Sequence, residues 1–321
     1  MVGYNTGGQN ISGQFGLPLM GVAGAPLPFT GNYFWVDGTF GSDGNTGGPQ
    51  DPLKTLTQAH TKCLAGNNDV VFFSNTYSPS ATLVWSKNNT HLIGLGAVGI
   101  SSTALISVAS TAATSGAFSP LVNVTATGCL FQNITAKSGI NQASTQVCWA
   151  EAGGNNQYLN CSFNQVGNAT AAAQAGCRAL TIASVGTSFN NCTIGGDSIV
   201  RATGTNFTAE FLAGSGSTEF NNCSFVMWSS VAANAQINAA TATMAGYVIL
   251  DNCLLVNDMG NAGAVANTLA LTISATAGGV VLLTSSTAVL GGGATVATTG
   301  QLVYITSPPS TTGGNRALNV T

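Results

Sequence analysis

Five cysteines, Cys129, Cys161, Cys192, Cys223 and Cys253, follow one another at intervals of 32, 31, 31 and 30 residues. Four of them sit in phrases that superimpose: Tyr158-Leu159-Asn160-Cys161-Ser162-Phe163, Phe189-Asn190-Asn191-Cys192-Thr193-Ile194, Phe220-Asn221-Asn222-Cys223-Ser224-Phe225 and Leu250-Asp251-Asn252-Cys253-Leu254-Leu255. A repeat of this length builds an array or a solenoid, and short strand phrases without helical periodicity select the β kind. The chain is therefore expected to be all-β, with one coil per repeat. Counting from Asn88 to Thr306 at this period gives about seven coils.

Parity sharpens the picture. In a straight strand, two inward residues are separated by an even number of positions. Here the large apolar residues lie three before and two after each Cys, so one residue must break the alternation. That residue is Asn160, Asn191, Asn222 or Asn252, with Gly128 in the earliest copy. Asn and Gly tolerate the left-handed conformation, which predicts a bend joining two sheets just before each Cys. Asn side chains stacked there can hydrogen-bond from coil to coil. The Cys column reads as small buried side chains with reduced thiols, since the spacing lacks any Cys-x-x-Cys pair.

Open solenoid ends need covers. Asp51-Pro52 reads as the N-cap and first position of a short helix near residues 52–65, with Leu53, Leu56, His60, Cys63 and Leu64 on one stripe and Gly66 ending it. Residues 1–32 contain no charged residue and read as an extended arm, residues 33–306 as the β-helix domain, and residues 307–321 as a C-terminal tail. No Lys or Arg precedes Lys54, so no export signal is expected, and no apolar run is long enough for a membrane helix.

The phrases Trp35-Val36-Asp37-Gly38, Gly41-Ser42-Asp43-Gly44-Asn45-Thr46-Gly47 and Asp51-Pro52-Leu53-Lys54-Thr55-Leu56 precede the Asn-Cys-Ser/Thr coils. Together they resemble the right-handed parallel β-helix proteins of the pectate-lyase-like class, and among these the ones carried by bacteriophage virions. That resemblance implies a single right-handed parallel β-helix. It also implies a virion location and, by similarity to other phage β-helices, a homotrimer. The fold hosts lyases, glycosidases, tailspikes and structural proteins alike, so activity has to be read from residues.

Only 7 Lys+Arg and 10 Asp+Glu occur in 321 residues, about a fifth of the usual charge content. This excludes a basic nucleic-acid surface and leaves few acids for catalysis. The two His offer no triad or zinc set, and no Gly-x-Ser-x-Gly is present. Gly94-Leu95-Gly96-Ala97-Val98-Gly99 matches a dinucleotide pattern but lacks the following helix and acid, so it reads as a coil turn. Asp37, Asp43 and Asn45 read as Asx turns rather than a calcium loop. Five residues after the ladder Cys, successive coils place Asp197, Trp228 and Asp258. Two coils put the carboxylates roughly 9.6 Å apart, near the upper end for an inverting glycosidase pair, with a Trp able to stack on a sugar. Arg178 and Arg201 lie near the same coils and suit backbone carbonyls or an interface partner.

The expectation at this point is a non-enzymatic structural protein of a phage virion, without cofactor, metal or catalytic site. It would be a decoration or cement protein that binds a major capsid protein or another virion protein, and neither nucleic acid nor membrane. The alternative is a tailspike-like protein that binds or degrades a host-surface glycan, with Asp197, Asp258 and Trp228 as its candidates.

Overall fold

The computed structural model describes residues 30–96, 104–108, 118–138, 146–164, 168–201, 203–229, 231, 233–239, 244, 246–257, 269–273, 280–284, 287–290, 295–298 and 301–304, with short strand pieces at 5–6, 9–10 and 319–320. The expected arm (1–32) and tail (307–321) therefore lie largely outside the described residues.

The chain winds as a right-handed parallel β-helix whose strands stack into three sheets. Sheet I contains Tyr33–Asp37, Asp69–Tyr77, Thr90–Gly94, Leu130–Gln132, Gln157–Leu159, Ser188–Asn190, Thr218–Asn221, Tyr247–Asp251, Val280–Leu283 and Gln301–Tyr304. Sheet II contains Ala104–Ser107, Thr135–Lys137, Ser162–Asn164, Thr193–Arg201, Ser224–Ser229, Leu254–Asn257 and Ala288–Leu290, and shares the long strand Asp69–Tyr77 with sheet I. Sheet III has nine strands, among them Val147–Glu151, Arg178–Ile182, Phe207–Phe211 and Ala235–Ala239. Every pairing within the column is parallel, for example Tyr158 with Phe189 and Phe189 with Phe220.

The predicted bend is present. Asn160, Asn191, Asn222 and Asn252 all have φ between 50° and 55°, and each is followed by one buried Cys before sheet II begins. The junction from sheet I to sheet II is thus two residues long in each of these coils. The amide of Asn252 donates to the Asn222 side chain at 2.6 Å and that of Asn160 to Asn133 at 3.3 Å, so part of the expected Asn ladder forms.

Cys129 belongs elsewhere. Phe131 pairs with Tyr158, which aligns Asn133 (φ 56°) with Asn160 and Ile134 with Cys161. Cys129 instead follows the other left-handed corner, where sheet III passes to sheet I. Asn68, Asn89, Gly128, Asn155, Gly186 and Ser217 form that column of positive φ. Both corners require an αL residue followed by a buried one, so the same two-letter phrase serves either.

The ladder thiols have a specific use. The Sγ of Cys161, Cys192, Cys223 and Cys253 donates to the carbonyl of Phe131, Tyr158, Phe189 and Phe220 in the preceding coil at 3.3–3.6 Å. A thiol is small and apolar enough for the core yet carries a weak donor for a carbonyl at the bend. All eight cysteines are buried and unbridged. Burial pushes Cys148 and Cys63 up to about 12; Cys192 and Cys253 are also raised well above the usual thiol range, first by the neighbouring thiol. Because the thiolate is the reactive form, Ellman's reagent should leave the eight thiols nearly untouched until denaturant is added. Rapid stoichiometric labelling of the native protein would contradict this packing.

Inside the column, Phe131, Tyr158, Phe189 and Phe220 stack ring over ring at 4.9, 4.5 and 4.8 Å. Trp149 meets Phe131 and Tyr158 edge-on. The N-terminal helix α1 spans Leu56–Lys62 with Thr55 as N-cap, later than Asp51-Pro52 suggests. The reason is local: Leu53 is held to the sheet edge through Trp35 O and Asp37 N, and Asp43 collects the Lys54 and Thr55 N–H groups, so the chain turns helical only afterwards. Leu56, Ala59 and Cys63 join the core, whereas Leu64 is 60% exposed. Gly94 meets a close approach, since a Cβ there would lie 2.1 Å from Asn133 O; it is a packing glycine at a strand end, and residues 97–99 of its motif lie outside the described residues.

Candidate functional site

The acids of the first coils are committed to the backbone. Asp37 accepts from Thr39 N, Phe40 N and the Asn75 amide; against the cost of burial, these bonds hold its carboxyl below the usual range. Asp51 accepts from Thr46 N, Asn45 donates to Pro52 O, and Asp69 takes Asn32 N, Leu64 N and the Asn67 amide. Among the described residues, no group of three or more His, Cys, Asp or Glu is gathered for a metal. His60 accepts from Ser86 N and Lys87 N, and the Nδ1 of His91 accepts from Leu130 N. Both are packing residues.

Glu151 lies inside the column, since it has the parity of Trp149. Its carboxylate takes the Tyr158 hydroxyl, the Asn156 amide at 3.0 Å and the N–H groups of Gly153 and Gly154. Burial raises its pKa against those hydrogen bonds. With 1% exposure, this network is structural.

The carboxylate candidates named from sequence are not brought together. Asp197 and Trp228 would pair if the register of Gly196 with Met227 continued. The ladder instead breaks there and resumes only at Arg201 with Ser229. Asp197 is therefore exposed on a bulge while Trp228 is half-buried, and Asp258 lies outside the described residues.

A different cluster is assembled at the start of the sheet III strands. Ala209, Phe211, Ile237 and Ala239 point into the core, so Glu210 and Asn238 between them point outward. Glu210 nonetheless is only 8% exposed and Asn238 2%, so this face is covered. Arg178 Nε meets Glu210 Oε2 at 2.5 Å, and Asn238 donates to Glu210 Oε1 at 2.9 Å. The Arg178 guanidinium lies 4.2 Å above the Phe207 ring and also donates to Cys177 O and Thr205 O. The carbonyl role expected for Arg178 is thus present, with an ion pair added to it. This is the one Lys/Arg-carboxylate pair among the described residues. It stands beside the junctions from sheet II to sheet III, which vary in length from coil to coil (138–146, 165–177, 202–206). Arg201, at the end of Thr193–Arg201, is buried in the same region.

Chemically, the cluster offers a carboxylate, a guanidinium, an amide and an aromatic face on one strip, a set suited to hydroxyl- and carboxyl-bearing ligands. Sequence reasoning did not single out Glu210. It lies 32 residues from Arg178, on strands that lack the Cys phrase, and only parallel register brings the two together.

No family model matches the chain, and no curated protein sequence matches it. Among solved structures it is similar to the pectate lyase Pel9A, with a TM-score of 0.53, 11% identity and coverage of 86% of this chain and 75% of that one. It is also similar to the pectin methylesterase from Aspergillus niger in deglycosylated form, with a TM-score of 0.50, 17% identity and coverage of 85% and 84%. At these identities the likeness is one of fold. The column is that of a pectate-lyase-like parallel β-helix. The expectation of a non-enzyme is corrected at this point: the structures that share this fold are named as a lyase and an esterase.

Proposed function

We propose that the chain is a glycan-binding, polysaccharide-degrading β-helix protein whose working face lies along the edge between sheets II and III, beside the closed Arg178–Glu210 pair. The observation that carries this is the Arg178–Glu210–Asn238 cluster over Phe207, placed beside the junctions from sheet II to sheet III, in a fold shared with proteins named as a pectate lyase and a pectin methylesterase. Glu210, closed in by Arg178 and Asn238, positions the Arg178 guanidinium, whose charge draws electronegative oxygens to this edge, and the half-buried Phe207 ring supports a sugar face. The exposed Asp197 lies on the bulge that precedes Arg201 and belongs to the rim of this face. The virion setting and the homotrimer rest on the sequence resemblance and are retained as the tailspike-like form of this reading. The purely structural decoration role gives way to it.

The test is a screen of the purified chain against neutral and acidic polysaccharides. It reads reducing-end release, ultraviolet absorbance of unsaturated products and proton release on de-esterification. One of the three signals is expected, with Glu210→Gln lowering turnover by about 100-fold or more and Arg178→Met likewise. If only Asp197→Asn or Asp258→Asn abolished turnover, the assignment to this edge would be wrong. If no substrate were bound or altered, the glycan reading would fall altogether.

A further inference from the structure

Arg201 is 1% exposed, and none of its three guanidinium nitrogens has a hydrogen-bond partner among the described residues. Burial pushes its pKa down to about 10, with the nearby Cys177 thiol opposing and the Arg178 charge adding to the depression, so it remains a cation at neutral pH. A buried charge without a partner is strongly unfavourable, which makes the location of its counter-charge a direct question.

The described acids do not supply it. Glu210 already faces Arg178 with both oxygens and holds the Asn238 amide on one of them. Asp197 is turned out to solvent on the bulge. Glu151 is committed to Tyr158, Asn156 and two backbone N–H groups. Glu219 and Asp251 lie on sheet I, and Asp37, Asp43, Asp51 and Asp69 are bound in the first coils. Among the described residues, two guanidinium groups and one carboxylate therefore leave a single positive charge uncompensated, carried on five N–H donors in a planar fork.

We infer that Arg201, supported by the field of Arg178, forms a buried site for one small oxygen-bearing anion, either an inorganic oxyanion or the carboxylate of a small organic acid. The planar fork fits two oxygens of one anion side by side. The near-complete closure of the side chain fits a small ion held within the fold rather than a polymer laid along the edge between sheets II and III, so this site is separate from the glycan reading and stands or falls independently of it.

The experiment compares thermal unfolding of the full chain and of Arg201→Met in chloride, acetate, phosphate and sulfate at matched ionic strength. The matched variant removes the general stabilisation that sulfate and phosphate give any protein. The wild type is expected to gain about 5 °C over the variant in the effective anion at a hundredfold excess over its dissociation constant. A gain in sulfate or phosphate alone assigns an inorganic oxyanion; a gain in acetate as well assigns a carboxylate. Equal responses of the two proteins, or none in either, would overturn the site. So would an anion-independent wild type destabilised equally by Arg201→Met and Asp258→Asn, which would make Asp258 the internal partner. Because Arg201→Met can fail to fold, equilibrium dialysis of refolded wild type against radiolabelled sulfate, phosphate and acetate supplies a second readout. About one bound equivalent of at least one of them supports the site, and none of any contradicts it.

Discussion

Moving the protein from about pH 7 to about pH 4 should remove on the order of 6 kcal/mol of stability, because two buried histidines resist protonation in the folded state. Burial pushes His60 down to about 4, with Lys87 adding to the effect. Burial pushes His91 down to about 4 as well, with Asp69 opposing. A folded pKa depressed below the unfolded value means that the unfolded chain binds the proton first. The histidines' contribution to stability is therefore complete above about 6.5, falls as pH drops, and is fully lost below about 4. The geometry agrees: the Nε2 of His60 already accepts from Ser86 N and Lys87 N, and the Nδ1 of His91 accepts from Leu130 N. A proton on either atom would replace an acceptor with a donor facing a donor. Glu151 acts in the opposite direction, since a carboxyl raised by burial favours the folded state as it protonates, and it will blunt the lower end of the slope. Denaturant midpoints at pH 7, 5.5 and 4.5 measure the effect, and His60→Gln with His91→Gln should flatten it. A wild-type profile that is already flat would mean that water reaches both rings.

Phe189→Ala should cost about 3–5 kcal/mol. The ring is fully buried, lies 4.5 Å from Tyr158 and 4.8 Å from Phe220 in parallel stacks, and meets Phe163 edge-on. Its removal opens a cavity that rigid neighbours on both coils cannot fill. Phe40→Ala, at a site 83% exposed, should stay within about 0.5 kcal/mol. Because each coil touches mainly its neighbours, the Phe189 defect should also broaden the transition. Equal midpoints for the two variants would show that the aromatic stack does not hold the coils together.

The column was legible in the sequence because its corners are chemically demanding. An αL residue before a buried small one recurs at Asn160, Asn191, Asn222 and Asn252, and the structure bends there. Gly128-Cys129 shows where that signal fails: it meets the same local demand at a different corner. Ala126, three residues before Cys129, is small where Tyr158, Phe189, Phe220 and Leu250 are large, and this difference marks the phrase as foreign to the ladder. The Arg178–Glu210 pair had no such signature, because lateral register rather than local sequence creates it. Asp197 failed as an alignment for the complementary reason: a bulge broke the register that the count of residues assumed.

The two left-handed corners also set where this chain tolerates change. The junction from sheet I to sheet II is two residues in every coil from Asn133 to Cys253, with its αL residue stacked on the one below. An added residue there would throw the next strand's inward side chains outward. The junction from sheet II to sheet III already differs in length from one coil to the next. It is therefore the edge at which peptides can be grafted, lengthened or exchanged one coil at a time while the rest of the stack keeps its register, which gives the protein a row of separately editable positions along one side.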